Sequence, residues 1–353
     1  MKDTIFFVVP GSLDMRTGGY GYDRRIIEGL TSLGWALKTI ELGGSYPFPN
    51  PADRAQAAAH LAAVPTGAVV VVDGLAYGVL PDIAEAERER LHLVALVHHP
   101  LADETGLSEV KKEFLSQSER AALQFARHVI VTSAYTARRI EDLGISSAFI
   151  SVVEPGNDPA PVAAGTYGRV KGEFRLLCPA SFIPRKGHSD LLSALSELAS
   201  YPWTLTCVGN TQIDPVCFAD VTARRDEMRL GARVALQGEV GDEELCRLYA
   251  DADLVALASL YEGFGMVVTE AIARGIPVVT TTGGALIDTL PRGAGLASRP
   301  GEVSAFRENL RRVFSDAHIY TELRTNALAA RERLPTWPQA SEKFATALSR
   351  ACP

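Results

Sequence analysis

Between residues 254 and 279 the chain reads LVALASLYEGFGMVVTEAIARGIPVV. An apolar strand leads into a glycine-rich turn, and the spacing of the next apolar residues predicts a helix over residues 266–274. Gly275 stands where a C′ glycine ends a helix, and Pro277 cannot continue one. A second apolar strand follows, so this stretch predicts a strand–helix–strand unit of a parallel sheet.

The same alternation of short apolar runs and helical patterns continues along the whole chain. The runs contain mostly Val, Ile and Leu with little polar alternation, as in strands that are buried on both faces of a parallel sheet. They fall at residues 5–9, 37–42, 68–72, 93–97, 129–131, 149–153, 174–178, 203–208, 234–236, 254–258 and 278–281. The pattern predicts an α/β protein with doubly wound parallel sheets.

A break between residues 154 and 173 divides this pattern into two halves. Prolines and glycines crowd the segment, and no apolar period survives in it. Because 353 residues exceed what one hydrophobic core usually serves, we expect two Rossmann-like domains, over residues 1–160 and 170–335. Such domains bind ligands beyond the carboxyl ends of their strands, which predicts a site in a cleft where the two domains face each other.

Composition and charge argue against several other classes of protein. The chain is 47% hydrophobic and 22% charged, as globular proteins are, and its net charge of −7 gives no global field that attracts nucleic acid. Its five cysteines lack CxxC spacing, which argues against a disulfide framework and a structural zinc site and favours a reducing cytoplasm. There is no G-x4-G-K-[ST] phosphate loop and no G-x-S-x-G elbow.

Nothing in the sequence indicates a membrane span. No apolar run reaches the roughly 18 residues that a spanning helix needs. Segment 106–127 mixes basic and apolar residues at helical spacing, but Glu109, Glu113 and Glu119 dilute its charge. We therefore predict an amphipathic surface helix there, with membrane contact not indicated.

The turn between the strand and the helix of the opening stretch is the strongest candidate site. Gly263 and Gly265 permit a tight turn and a close approach of the backbone to a ligand. The helix that follows offers free N–H groups and the positive end of its dipole, which suit a phosphate. Glu262 lies in the loop, and Glu270 lies about one helical turn inside the helix.

This segment closely resembles the E-x7-E signature of retaining glycosyltransferases of the GT-B type, family 4 (glycosyl transferases group 1) in particular. Both glutamates, the glycines between them and the trailing G-x-P-V-V match. The resemblance implies transfer of a sugar from a nucleotide diphosphate-sugar to an acceptor hydroxyl. It implies that Glu270 holds the nucleotide ribose, that Glu262 contacts the donor sugar, and that Gly263, Phe264 and Gly265 belong to the donor site.

Two adjacent cations, Arg185 and Lys186, follow the strand at 174–178 and precede a helix. A fixed arginine and lysine stabilise the charge that builds on a diphosphate leaving group. The loop resembles the R-x-K or RKG loop of the same family, so both residues are predicted to be catalytic and to bind the donor; a solvated turn is the alternative. Gly209, after the strand at 203–208, is predicted to lie near the nucleotide.

The first half of the chain contributes a glycine loop and a histidine pair. Gly18 and Gly19 resemble the family's N-terminal Gly-Gly turn, which approaches donor phosphate and acceptor. His98 and His99 end the strand at 93–97; neighbours on a strand point to opposite faces, which argues against a shared metal. The family often carries a histidine here that contacts the donor sugar, and we predict His99 as the catalytic one and His98 as donor-binding.

The end of the chain is predicted to be a helix over residues 336–353. Apolar residues recur in it at helical spacing, at Trp337, Ala340, Phe344, Ala345 and Leu348. The segment resembles the family's C-terminal helix, which crosses back onto the N-terminal domain.

Neither a metal nor a cofactor is expected. Asp251-Ala252-Asp253 spells D-x-D, but it precedes a strand instead of following one, so we interpret it as a polar start of that strand. The donor is expected to be UDP- or GDP-linked, and the acceptor and the oligomeric state are not indicated. The family's retention of configuration implies same-face attack, with the leaving phosphate taking the acceptor proton. The alternatives are a nucleotide-sugar epimerase of the same shape and a non-catalytic nucleotide-sugar-binding relative; the E-x7-E segment favours the transferase.

Overall fold

The computed structural model describes residues 4–165 and 173–351 and divides the chain into two compact units. One unit is Met1–Gly156 with Pro335–Pro353, and the other is Asn157–Leu334. The predicted start of the second domain at residue 170 lies outside the described residues. Residues 157–165, which the sequence assigns to the linker, pack on the second unit, where the Ala163 N–H donates to the Arg274 carbonyl at 2.8 Å.

The first unit is a six-stranded parallel sheet flanked by helices. Its strands are β1 Thr4–Pro10, β2 Ala36–Leu42, β3 Val69–Asp73, β4 His92–Val97, β5 His128–Val131 and β6 Ile150–Val152. Its first helices are α1 Gly18–Ser32, α2 Pro51–Ala62, α3 Gly74–Tyr77, α4 Pro81–Glu87, α5 Glu109–Leu123 and α6 Ala134–Asp142. The strand order is β2-β1-β3-β4-β5-β6, with every pair parallel. The central strands are buried along their length because helices cover both faces.

The second unit repeats this architecture. Its strands are β7 Phe174–Pro179, β8 Trp203–Val208, β9 Val234–Gln237, β10 Leu254–Ala256, β11 Val278–Thr281 and β12 Gly295–Ser298. Its helices are α7 His188–Ser196, α8 Pro215–Glu227, α9 Asp242–Asp251, α10 Met266–Ala273, α11 Leu286–Thr289, α12 Val303–Ser315 and α13 Ala317–Arg331. The strand order is β12-β11-β10-β7-β8-β9, again parallel throughout.

The predicted α/β fold with parallel sheets is confirmed. Each of the eleven predicted apolar runs overlaps a strand of the structure. The sequence missed β12, because Gly-Leu-Ala-Ser is short, weakly apolar and only partly buried at the edge of its sheet. The D-x-D segment ends α9 and leads into β10, so it lies at the amino end of that strand.

The last helix, α14 Trp337–Ala351, belongs to the first unit, where it packs on α1, β4 and β5. The helices α1 and α14 approach closely at Gly29, where there is no room for a side chain. A Cβ atom at this position would lie 1.9 Å from the Ser341 hydroxyl oxygen. The predicted helix end at residues 352–353 lies outside the described residues. Within 4–165 and 173–351, no helix combines the length and the apolar character that crossing a membrane requires.

Candidate functional site

In each sheet, successive strands are placed first on one side of the first strand and then on its other side. The place where this change of direction occurs is called the switch point, and it opens a crevice at the carboxyl edge of the sheet. In the first sheet β1 lies between β2 and β3, and in the second β7 lies between β8 and β10. The loops after the two strands at a switch point run apart, which makes room for a ligand. In the second unit the loops at the switch point carry Arg185 and Lys186, after β7, and Glu262, after β10.

A single turn of 3-10 helix, Pro184–Lys186, presents the two cations. Gly187 ends it in the left-handed region, at φ 65°, and a Cβ atom there would lie 2.0 Å from the Ala258 carbonyl oxygen. Only glycine fits this position. The Leu260 N–H donates to the Arg185 carbonyl at 2.7 Å, so the loops after β7 and β10 are hydrogen-bonded to each other.

The carboxylate of Glu262 lies between these cations and is 8% exposed. Lys186 Nζ donates to its two oxygens at 2.7 and 2.8 Å, and Arg185 Nη1 contacts Oε2 at 3.3 Å. The Ser259 hydroxyl donates to Oε1 at 2.8 Å. Burial alone would raise the pKa of Glu262, but Lys186 and Arg185 lower it below its ordinary value. Two cations against one carboxylate leave a net positive charge.

The backbone around Glu262 is held by the loop after β11. The Glu262 N–H donates to Gly283 at 3.3 Å, and Ala285 donates to the Glu262 carbonyl at 2.9 Å. The chain then enters α10 through Gly265 at φ 90°, where a Cβ atom would lie 2.6 Å from Leu286 Cδ2.

The other predicted residues of this loop, Gly263 and Phe264, are partly buried. The Thr289 hydroxyl donates to the Phe264 carbonyl at 2.6 Å.

Taken together, the contacts of Glu262 bring Arg185, Lys186 and Glu262 to one place, at the start of α10.

Glu270 lies on α10, where the Tyr249 hydroxyl donates to its Oε2 at 2.7 Å. The guanidinium of Arg274 stacks on the Tyr249 ring, 4.3 Å from its centroid. Sequence reasoning missed Tyr249, because it lies on another helix, outside the motif. Its contact holds one carboxylate oxygen of Glu270 in place.

Close packing between two loops requires a glycine at position 209. A Cβ atom there would lie 2.2 Å from the Ala180 carbonyl oxygen, so this glycine lets the loops after β7 and β8 meet. The Phe182 N–H donates to Asn210 at 2.8 Å and joins the same two loops. Its predicted place near a nucleotide stays a prediction.

The first unit gathers a second group of polar side chains at its switch point. His98 Nε2 lies 3.1 Å from Asp23 Oδ1 and 3.3 Å from Asp73 Oδ2. A Cβ atom on Gly19 would lie 3.5 Å from the His98 ring, so Gly19 and His98 are neighbours, whereas Gly18 has open space above its Cα. Sequence reasoning missed both aspartates; Asp73 ends β3, and the rule that ligands bind after strands could have found it.

The two buried carboxylates keep His98 charged. Burial alone would lower the pKa of His98, but Asp23 and Asp73 raise it, to about 10. Burial raises the pKa of Asp23 to about 6, against the opposing effect of His98. At neutral pH the ring is therefore an imidazolium between two carboxylates.

His99 is not a member of this cluster. Its Nε2 lies 3.5 Å from Glu104 Oε2, in the segment that follows β4. The structure thus places the two neighbouring histidines in different surroundings, and the catalytic role of His99 stays a prediction.

Two groups in the described ranges hold three metal-ligand atoms within 4.8 Å of one another. One is Asp23, Asp73 and His98, where the charged ring accounts for the arrangement; the other is Cys178, His188 and Cys207. The D-x-D aspartates belong to neither group. Asp253 is fully buried and accepts the Arg175 N–H at 2.9 Å, and Asp251 lies 3.5 Å from the Arg175 guanidinium.

Known proteins with similar sequences are sugar-transferring and sugar-synthesising enzymes by name. The chain is 28% identical over 253 residues to the MMP alpha-(1->4)-mannosyltransferase of Mycolicibacterium hassiacum, covering 68% of this chain and 60% of that protein. It is 28% identical over 213 residues to the mannosylfructose-phosphate synthase of Agrobacterium fabrum, covering 56% and 47%. The matched part is thus between 47% and 60% of the length of these relatives.

Solved structures with the same architecture cover nearly the whole chain. Sucrose-phosphate synthase from Thermosynechococcus elongatus aligns with a TM-score of 0.80 over 98% of both chains at 20% identity. Anabaena Alr3699/HepE in complex with UDP-glucose aligns with a TM-score of 0.74 over 98% and 99% at 18% identity. These likenesses show the fold, a two-domain α/β fold of the GT-B type with two parallel sheets. Residues 165–330, just under half of the chain, match the family model described as glycosyl transferases group 1.

Proposed function

We propose that this chain is a retaining glycosyltransferase that moves a sugar from a nucleotide diphosphate-sugar to a hydroxyl group of an acceptor. The observation that carries the proposal is the cluster of Arg185, Lys186 and Glu262 at the switch point of the second sheet. Its net positive charge lies in the loops at the N-terminus of α10, whose free N–H groups add to the attraction for an anion. A diphosphate matches both the charge and the place.

The two cations supply the chemistry of the leaving group. As the bond between sugar and phosphate breaks, negative charge grows on the diphosphate, and a fixed arginine and lysine stabilise that charge without reorganising. Glu262 keeps both cations in position before the donor arrives. On this account the reaction needs no metal ion at the diphosphate.

The bonding of Glu262 argues against its being a nucleophile. Lys186 donates to both carboxylate oxygens, and Ser259 and Arg185 donate one further contact each. A carboxylate that is occupied in this way is a weak nucleophile, so retention is assigned to same-face attack in which the leaving phosphate takes the acceptor proton. A trapped covalent adduct between sugar and protein would overturn this assignment.

Two further residues receive roles in the proposal. Glu270 binds the ribose hydroxyls of the nucleotide, with Tyr249 holding its carboxylate. His98 is assigned to the sugar in preference to His99, because His98 is the ring that neighbours Gly19 and stays charged between Asp23 and Asp73. An imidazolium can only donate hydrogen bonds, which suits hydroxyl or phosphate oxygens.

The names of similar proteins support a nucleotide-sugar donor. Structures of Anabaena Alr3699/HepE contain UDP and UDP-glucose. UDP and GDP are therefore the first nucleotides to test, with ADP and TDP beside them.

Binding of the four nucleoside diphosphates should be measured by calorimetry and thermal shift, with and without EDTA. We expect one of them to stabilise the chain, and EDTA to leave its affinity unchanged. Glu270→Ala should weaken that affinity by about 10- to 100-fold, the cost of losing hydrogen bonds to a charged group. Glu322→Ala, at an exposed helical position of the same unit, is the matched control and should bind as the wild type does.

Turnover of the nucleotide-sugar then separates transfer from the other two functions. We expect release of the nucleoside diphosphate, and its loss in Lys186→Met. Conversion of the donor sugar without release of nucleotide would indicate an epimerase. Binding without any turnover, across a panel of sugar and lipid acceptors, would indicate a non-catalytic protein. Either result would overturn the proposal.

A further inference from the structure

Beneath the loop that carries Arg185 and Lys186, two cysteines and a histidine meet in the core of the second unit. Cys178 in β7 and Cys207 in β8 are register partners on adjacent parallel strands. Partners of this kind point to the same face of a sheet, and their strands lie about 4.8 Å apart. His188, the first residue of α7, completes the group. The three side chains come from sequence positions that no short spacing motif connects.

The three ligand atoms lie within 4.8 Å of one another, and all three residues are buried, with exposures of 0%, 1% and 2%. Zinc binds thiolate sulfur at about 2.3 Å and imidazole nitrogen at about 2.0 Å. One ion can therefore reach all three atoms after small rotations of the side chains.

The histidine is the observation that a plain hydrophobic core does not explain. Within the described residues, neither ring nitrogen of His188 has a nitrogen or oxygen partner, and its polar neighbour is the Cys178 thiol, a weak hydrogen-bond donor, although the ring is 2% exposed. Buried polar groups are almost always paired, since an unpaired one costs about 1–3 kcal/mol. A metal bond to one nitrogen removes part of that cost.

The surroundings suit a neutral metal complex. Phe182 stacks on the His188 ring with centroids 4.5 Å apart, and Phe218 packs against Phe182 at 4.9 Å. Such apolar walls exclude water and would penalise a net charge. Two thiolates and a neutral imidazole around a divalent ion carry no net charge.

We propose that Cys178, Cys207 and His188 bind one zinc ion. The ligands are two thiolate sulfurs and one imidazole nitrogen, a donor set that selects zinc over magnesium or calcium. As the two metal–sulfur bonds form, the thiol protons leave to solvent, so binding weakens at low pH.

The ion acts on the loop above it. His188 directly follows the turn Pro184–Gly187, so the metal ties that turn to β7 and β8. The zinc site is separate from the proposed diphosphate site and does not depend on the proposed function. Its role is to hold the Arg185–Lys186 turn, not to touch substrate.

The test is the zinc content of the full chain, produced with zinc, kept reduced and freed of loosely bound metal. We expect about one zinc ion per chain by elemental mass spectrometry. Replacement by Co²⁺ should give the intense near-ultraviolet absorption of a thiolate–cobalt bond. The variants Cys178→Ser, Cys207→Ser and His188→Asn should each lose the metal. A triple variant with Cys217→Ser, Cys246→Ser and Cys352→Ser should keep it.

Folding of each variant is checked by circular dichroism and by the nucleotide thermal shift. If the serine variants misfold, the double variant Cys178→Ala/Cys207→Ala replaces them, because alanine suits an apolar core. Absence of stoichiometric zinc and of the cobalt band in the reduced wild type would overturn the proposal. So would retention of zinc by the double alanine variant, or a disulfide between the two cysteines in freshly purified protein that binds no metal.

Discussion

Single residues set the charge of the candidate site in the second unit. Glu262 is nearly buried, and a buried carboxylate is tolerated only when partners compensate for its lost hydration. Lys186 is its closest partner and the main cause of its lowered pKa. The loop sequence predicts that these residues are important. Their direct contact depends on β7 and β10 being neighbours in the sheet, which no local pattern reveals.

Replacing Lys186 by methionine should therefore destabilise the chain as well as abolish turnover. We expect the free energy of unfolding, measured in urea, to fall by about 3 kcal/mol, because Glu262 loses its strongest partner while buried. In the double variant Lys186→Met/Glu262→Gln most of that stability should return, but turnover should not. Lys343→Met, at an exposed position, is the control. Equal losses in the single and double variants would show that the two side chains are not coupled.

Single elements show where local patterns mislead. Helix α5 is amphipathic, as its spacing predicts, yet Glu119, one of the three glutamates that dilute the charge of the segment, is 1% exposed. One carboxylate oxygen accepts the Leu101 N–H at 3.0 Å, and the other has no partner among the described residues. Burial raises the pKa of Glu119 to about 8. The carboxyl group is therefore protonated in the folded chain at neutral pH.

This burial makes stability fall as pH rises. Below about pH 5 the carboxyl group is protonated in both the folded and the unfolded state. Between about pH 5 and pH 8 only the folded state keeps the proton, so the free energy of unfolding decreases as pH rises. Glu119→Gln removes this dependence. At pH 9 we expect the variant to be more stable than the wild type by on the order of 5 kcal/mol. Urea unfolding from pH 5 to 9 measures the slope, with Glu113→Gln as the exposed control on the same helix. If the free energy of unfolding depended on pH equally in the wild type and in Glu119→Gln, the raised pKa of Glu119 would be contradicted.

At the scale of the whole molecule, the chain returns at its end to the unit in which it began. Phe344 of α14 is fully buried and stacks on Phe7 of β1, with ring centroids 6.5 Å apart. Trp337 packs against Tyr22 at 6.0 Å, and a Cβ atom on Gly156 would lie 2.2 Å from the Trp337 nitrogen. The apolar spacing predicts a docking helix, and the core of the first unit shows what it docks on.

Truncating Phe344 should accordingly weaken the first unit. We expect Phe344→Ala to lower the free energy of unfolding of this unit by about 4 kcal/mol, which is the usual cost of replacing a buried phenylalanine by alanine. Amide hydrogen exchange should show the loss in β1, β4 and β5, with β7 and β8 unchanged as an internal reference. Phe149→Ala, at a side chain that is 55% exposed, should have little effect. Equal loss of protection in β7 and β8 would contradict a contribution confined to the first unit.

The sequence predicts the strand–helix alternation, the division into two halves and the glutamate and Arg-Lys loops, because periodicity, turn glycines and caps act between neighbours along the chain. The three-dimensional arrangement of the elements is needed to see that Asp23 and Asp73 enclose His98, that Glu119 is buried, and that Cys178, His188 and Cys207 converge. The physical reason is that strand order and register choose which distant side chains share one face or one edge of a sheet, and local spacing carries no record of that choice.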